Sequence, residues 1–296
     1  MNMKQGNDPR PRIAVFAYSQ VGSACLEDLI RDGANVAVVY THEDDPKEEI
    51  WFRSVKRTAL DSSIEVRTPA KIDSDEISRL REIAPDLIFS FYYRAMIPKE
   101  ALDIPKLGAY NIHGALLPKY RGRACVNWAV INGERETGAT LHVMTEFADR
   151  GDIIAQKAVP IEFEDTAHNV FLKVTEASRE ILMSTLPSLE MGTAKRYPQD
   201  ESEATKFGRR RPEDGEIDWN RSADEIYNFV RALTHPFPGA FTNWEGKKFF
   251  IWKALPAEGI FEPGKIKSES PMLVGTGSGL LRVLRIQPEG GPERDA

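Results

Sequence analysis

Two short apolar runs with one amphipathic segment between them constrain this chain most. Arg12-Ile13-Ala14-Val15-Phe16-Ala17-Tyr18 is too short for a helix and has no polar alternation, which reads as a strand buried on both faces of a parallel sheet. Asn35 to Tyr40, with Val36, Ala37, Val38 and Val39, repeats the pattern. Between them Ser19 to Ser23 turns into a helix with Cys25, Leu26, Leu29 and Ile30 on one face, ended by Gly33. A strand–helix–strand unit of this kind makes a parallel pair with a right-handed crossover. Its first turn holds only Gly22, not a Gly-x-Gly-x-x-Gly string, so dinucleotide binding is poorly supported.

The alternation continues. Thr41 to Lys47 reads as an acidic, solvated loop carrying His42, or as part of a ligand crevice, because it follows a strand's carboxyl end. Helices are expected over Val55–Leu60 and Ser74–Ile83, and strands over Ile64–Val66, Asp86–Phe91 and Ala109–His113. A short helix over Cys125–Asn132 precedes a strand at Gly138–Met144 and its hairpin partner at Ile153–Val159. A long helix follows, capped by Asp165-Thr166 and stopped by Gly192. Pro198 to Gly215 is polar and charged, with Arg209-Arg210-Arg211-Pro212, and reads as a linker with a domain boundary near residue 205. Beyond it come a strand fragment at Glu216–Trp219 and a helix capped by Ser222. Short strands broken by Gly and Pro then run to Gln287, as in a small antiparallel barrel or open sheet, and the tail from Gly290 reads as frayed.

Charge narrows the function classes. The net is −6. Residues 206–296 carry 14 Lys+Arg against 13 Asp+Glu, a net of +1, and the remainder 25 against 32, a net of −7. Neither part has the positive excess of a surface that grips a polyanion such as tRNA, so no nucleic acid partner is expected. Two cysteines, Cys25 and Cys125, make neither a disulfide framework nor metal-ligand spacing, so no metal is expected. No apolar run is long enough to span a membrane, and the polar start to Arg12 reads as a flexible lead-in rather than a secretory signal. These features point to the cytoplasm.

The chemistry concentrates in Asn111-Ile112-His113-Gly114-Ala115-Leu116-Leu117-Pro118-Lys119-Tyr120-Arg121-Gly122-Arg123. Asn111 and His113 are two apart, so at a strand end both side chains project to one side. A neutral imidazole can take a proton from an attacking amine, and an amide can hydrogen-bond the oxyanion that forms on a carbonyl. The triplet alone is equally the pattern of a structural hydrogen-bonder. The rival histidines read as surface residues (His42, His168) or structural ones (His142, His235). Asp149, in Ala148-Asp149-Arg150-Gly151-Asp152, can be a turn residue or a carboxylate that orients His113, and Asp152 has the same turn reading.

The longer string resembles the folate-dependent formyltransferase family. Its Asn-x-His-x-x-Leu-Leu-Pro-x-x-x-Gly pattern is matched at Asn111, His113, Leu116, Leu117, Pro118 and Gly122, with Asp149 about 35 residues further on. Within that family, Phe89-Ser90-Phe91-Tyr92-Tyr93-Arg94, Pro118 to Arg123, Phe207-Gly208-Arg209-Arg210 and Pro238-Gly239-Ala240-Phe241 look like the ArnA-type domain, which formylates UDP-4-amino-4-deoxy-L-arabinose. One departure is Cys125, where those relatives carry Pro.

The resemblance implies an α/β fold: a Rossmann-like, mostly parallel sheet with helices on both faces over residues 1–205, then a small OB-like β domain over 206–296. It implies Asn111, His113 and Asp149 as catalytic residues and 10-formyltetrahydrofolate as co-substrate. It places folate contacts at Ala95, Met96 and Ile97, at Arg123, and at Thr145, Glu146, Phe147 and Ala148. It implies a nucleotide-linked amino sugar as acceptor and, for the ArnA-type substrate, a role in lipid A modification. The runner-up is methionyl-tRNA formyltransferase, and a third reading is a non-catalytic folate or nucleotide-sugar binder. Arg121 or the Arg209–Arg211 run can supply contacts to a diphosphate, or be solvated charge. The sequence leaves a homo-oligomer open.

Overall fold

The computed structural model describes residues 10–43 and 50–296. The expected lead-in over residues 1–9 and residues 44–47 of the acidic loop lie outside the described residues. Elements follow in chain order: β1 (Arg12–Ala17), α1 (Ser19–Arg31), β2 (Asn35–Tyr40), α2 (Val55–Asp61), β3 (Glu65–Arg67), α3 (Ser74–Ile83), β4 (Leu87–Phe91), α4 (Lys99–Leu102), β5 (Gly108–His113), β6 (Arg121–Gly122), α5 (Cys125–Ile131), β7 (Glu136–Val143), β8 (Ile153–Pro160), α6 (Ala167–Glu190) and β9 (Lys206–Phe207). Then come α7 (Ala223–Leu233), β10 (Ala240–Trp244), β11 (Lys247–Ala257), β12 (Ile266–Glu269), β13 (Met272–Gly275), β14 (Leu280–Pro288) and β15 (Arg294–Asp295).

The chain divides into two compact units, one of residues 1–119, 138–157 and 175–204, the other of residues 120–137, 158–174 and 205–296. In the first, the sheet runs β3-β2-β1-β4-β5-β7-β8. The strands from β3 to β5 are parallel, as the apolar runs require, and β7 is antiparallel to β5. Gly138 lies against the Lys157 carbonyl and Val143 N–H bonds the Asp152 carbonyl, so β8 returns along β7 as a hairpin. One core cluster packs Phe16, Val38, Tyr40, Leu80, Ile83 and Ile88 together, with the Phe16 and Tyr40 rings stacked at 4.5 Å. Gly22 is set by contact rather than by a phosphate. A Cβ there would meet Ala17 Cβ at 3.1 Å and the Phe91 carbonyl oxygen at 3.2 Å, where α1 starts against the strand ends.

Asp28 of α1 accepts from Arg179 at 2.7 and 2.8 Å and from Arg31 at 2.7 Å, and it is buried. The Arg179 hydrogen bonds, against the opposing effect of burial, hold its carboxyl below the usual range. A folded pKa below the unfolded value of about 3.9 means stability that is present above that pH and lost as pH falls through the folded value. The Tm gap between the wild type and Asp28→Asn should therefore close as pH drops from about 5 toward about 2. A gap independent of pH would show that ionised Asp28 does not contribute.

In the second unit the sheet runs β10-β11-β14-β13-β12, with β15 on β14, all antiparallel. α7 carries a capping box, Ser222 with Glu225, and sets Ile226, Tyr227, Val230 and Leu233 against Ile251, Leu281, Val283 and Ile286. The small antiparallel β domain is thus as expected. The strand fragment at Glu216–Trp219 is only a single bridge, Glu216 to Phe241, because the chain turns at Asn220 into the Ser222 cap. The tail is not frayed. β15 pairs with β14 while Arg285 binds Glu293 at 2.9 Å and Asp295 at 3.1 Å, so its ends are held by charge rather than by apolar burial. The polar 198–215 stretch is packed chain rather than open linker: Gln199 donates to the carbonyls of Asp149 and Gly151, and Lys206–Phe207 forms the β9 ladder with β6. Among the described residues no helix is long and apolar enough to cross a membrane.

Candidate active site

In the first unit the register of β5 on β7 pairs Asn111 with His142 and His113 with Thr140. Directly opposed residues share a sheet face, as do residues two apart, so these four side chains stand together. His113 and His142 are buried, at 6% and 2% exposure. The loop from Met144 to Asp152 brings Asp149 over this face. Asp149 Oδ1 lies 3.6 Å from His113 Nδ1 and 3.8 Å from His142 Nε2. Asn111 Nδ2 lies 3.0 Å from His142 Nε2. The structure therefore brings Asn111, His113 and Asp149 together, with His142 as a fourth member.

The supporting bonds are specific. Thr140 Oγ1 donates to the Ala115 carbonyl at 2.6 Å and accepts from Leu117 N–H at 3.1 Å, while Gln156 donates to Thr140 Oγ1 and to the Leu117 carbonyl. The loop after His113 is thereby fixed from β7 and β8. Asp149 itself sits at φ +60°, a left-handed conformation costing roughly 1 kcal/mol or more for a residue with a side chain. Gln199 Nε2 holds that loop through its bonds to the Asp149 carbonyl at 3.0 Å and the Gly151 carbonyl at 2.7 Å. Asp152 serves the turn, its carbonyl accepting from Val143 N–H at 2.8 Å.

The other candidate residues divide by burial. Met96 and Phe147 are 61% and 59% exposed, Ala95 is half-buried, and Thr145, Glu146 and Ala148 are exposed. Ile97 is 4% exposed and belongs to the core cluster, so only its backbone is left for a ligand. Thr145 Oγ1 closes its own loop by accepting from Phe147 N–H and donating to the Phe147 carbonyl.

Arg123 belongs to the second unit. There it lines a cavity of about 250 Å³ with Asn127, Arg209, Arg210, Arg211 and Phe237. Arg210 is packed between the rings of Trp128 at 4.8 Å and Phe229 at 5.3 Å, and its Nε is buried without a hydrogen-bond partner among the described residues. Burial lowers its pKa from the ordinary guanidinium value. It is not a solvated linker charge, and neither is Arg121, which is 4% exposed.

Two histidines read as surface residues lie elsewhere. His42 is half-buried, stacks on Tyr93 at 4.3 Å and accepts from Arg94 N–H at 3.1 Å; burial, then the Arg94 charge, lowers its pKa. His168 is half-buried, and burial lowers its pKa too. His235 stacks on Trp252 at 3.8 Å and pairs with Glu293 at 3.1 Å, a structural role. His142, which reads in the sequence as a structural strand histidine, lies 3.0 Å from Asn111 Nδ2 and 3.8 Å from Asp149 Oδ1. Its place opposite Asn111 depends on strand register, which local sequence does not carry.

Comparison with known families settles the class of protein. Residues 11–186 match the formyl transferase family, and residues 209–296 match the formyl transferase C-terminal domain. The chain belongs to the formyl transferase family. This formyltransferase shares its fold with several solved structures at low identity. One is an N-formyltransferase from Helicobacter canadensis in complex with folinic acid and dTDP-3-aminofucose, 19% identical, with a TM-score of 0.73 over 95% of this chain and 99% of that one. Another is WlaRD, a sugar 3N-formyl transferase in the presence of dTDP and 5-N-formyl-THF, 21% identical, with a TM-score of 0.72 over 95% and 97%. A third is HypX from Aquifex aeolicus in complex with tetrahydrofolic acid, 21% identical, with a TM-score of 0.65; 97% of this chain covers 46% of that one.

Proposed function

We propose that this formyltransferase moves a formyl group from 10-formyltetrahydrofolate to the amine of a nucleotide-linked amino sugar, with UDP-4-amino-4-deoxy-L-arabinose the first acceptor to test. The observation that carries the reading is the meeting, in a chain of this family, of buried His113 with half-buried Asp149, on the strand face that His113 shares with half-buried Asn111.

In this reading the substrate amine attacks the formyl carbon, a new C–N bond forms and the bond to the folate nitrogen breaks. His113 accepts the proton that the amine loses and returns it to the departing nitrogen. Asn111 Nδ2 donates to the formyl oxygen as negative charge develops there. Asp149, 3.6 Å from His113 Nδ1, stabilises the positive charge that the ring acquires in transit. The exposed apolar side chains of Met96 and Phe147 suit the face of a pterin, with Ala95, Ile97, Thr145, Glu146 and Ala148 contributing mainly backbone.

The acceptor class is supported by two of the structural relatives, whose bound ligands are dTDP-3-aminofucose and dTDP. Methionyl-tRNA is the acceptor to be tested against it. Formylation measured between about 50 and 200 mM salt should weaken only mildly for a nucleotide sugar, whereas a tRNA acceptor loses orders of magnitude in affinity. Efficient formylation of methionyl-tRNA, with no turnover of UDP-, dTDP- or GDP-linked amino sugars, would overturn the reading.

A further inference from the structure

His142 has two nitrogens with different neighbours, and together they define its state. Nδ1 is 2.8 Å from the carbonyl oxygen of Val143, a group that can only accept, so Nδ1 carries the proton. In the neutral ring Nε2 then offers a lone pair, and it lies 3.0 Å from Asn111 Nδ2, whose N–H can donate to it. The ring is 2% exposed, so solvent does not replace either bond. An amide turned the other way would bring its oxygen against that lone pair.

We propose that His142 is a positioning residue for formyl transfer: as a neutral acceptor it selects the orientation of the Asn111 amide, so that the second N–H on Nδ2 is presented for the reacting oxygen. This rests on the reading of Asn111 as the oxyanion donor. The device is a three-member chain, from the Val143 carbonyl through the His142 ring to the Asn111 amide. It is built across the β5–β7 register rather than within one strand. Asp149 Oδ1, 3.8 Å from Nε2, faces the same ring.

The test compares His142→Leu, which fills the space without an acceptor, with His142→Gln, whose carbonyl oxygen reaches about as far as Nε2. His142→Leu is expected to lower kcat roughly 10- to 100-fold with KM for both substrates little changed, because a misplaced group of about 1 Å costs that much. His142→Gln should recover most of the loss. In an Asn111→Ala background, His142→Leu should have little further effect, since the two act as one unit. Should His142→Leu fail to fold, His142→Gln against the shorter His142→Asn makes the same comparison, with Gln expected to be the faster. Normal kcat in His142→Leu beside a strong loss in Asn111→Ala overturns the proposal and leaves the reading of Asn111 intact. Equal rates for the Gln and Asn variants, or fully additive losses in the double variant, also overturn it. Normal kcat in Asn111→Ala overturns the reading itself.

Discussion

Replacing His113 with Ala is expected to lower kcat by at least roughly 100-fold in a protein that stays folded, the usual scale for losing a positioned general base. Asn111→Ala should cost about 100- to 1,000-fold, the scale of one oxyanion donor. The two residues end β5 on one face, and His113 has Asp149 3.6 Å from its Nδ1. His113→Gln keeps more of the buried volume and separates a folding defect from a chemical one. His235→Ala is the control, because that ring packs on Trp252 and pairs with Glu293, so turnover should stay within a few-fold. Steady-state kinetics with thermal melts decide the matter. A folded His113→Ala protein with wild-type kcat would remove His113 from the mechanism.

Gly151→Ala should be nearly as damaging to turnover without touching any reacting atom. A Cβ at Gly151 would stand 1.9 Å from the Val143 carbonyl oxygen, and the obstacle is backbone that cannot rotate away. The loop must shift by about 1 Å, and Asp149 lies two residues upstream at φ +60°, held by Gln199. A misplacement of that size is worth about 100-fold in rate. The forced contact should lower stability by roughly 1–3 kcal/mol. If kcat falls no more than the melting shift explains, the placement of Asp149 is not critical for transfer.

Much of the fold was legible along the chain because it depends on neighbours in sequence. The runs at Ile13 and Val36 are apolar without alternation and became central parallel strands, and the Ser222 cap starts α7 where a hydroxyl can satisfy the first free N–H groups. The pairing of Asn111 with His113 was legible too, since a two-residue spacing on a strand sets a shared face whatever the tertiary contacts are.

The rest required distant partners. His142 looked like an ordinary strand histidine until the antiparallel register of β7 on β5 put it opposite Asn111, 31 positions earlier in the chain. Arg210 read equally as a diphosphate contact or a solvated linker charge, and only the rings of Trp128 and Phe229 on its guanidinium rule out the second. Ile97, implied as a folate contact, has its side chain in the core and offers only its backbone, and the polar tail became an edge strand through Arg285. Local periodicity and capping chemistry are properties of a few consecutive residues, so the sequence by itself determined the apolar strands, the capped helices and the shared side of Asn111 and His113. Register, burial and the neighbours of a charge depend on chain that arrives from tens of residues away, and only the tertiary structure decided those.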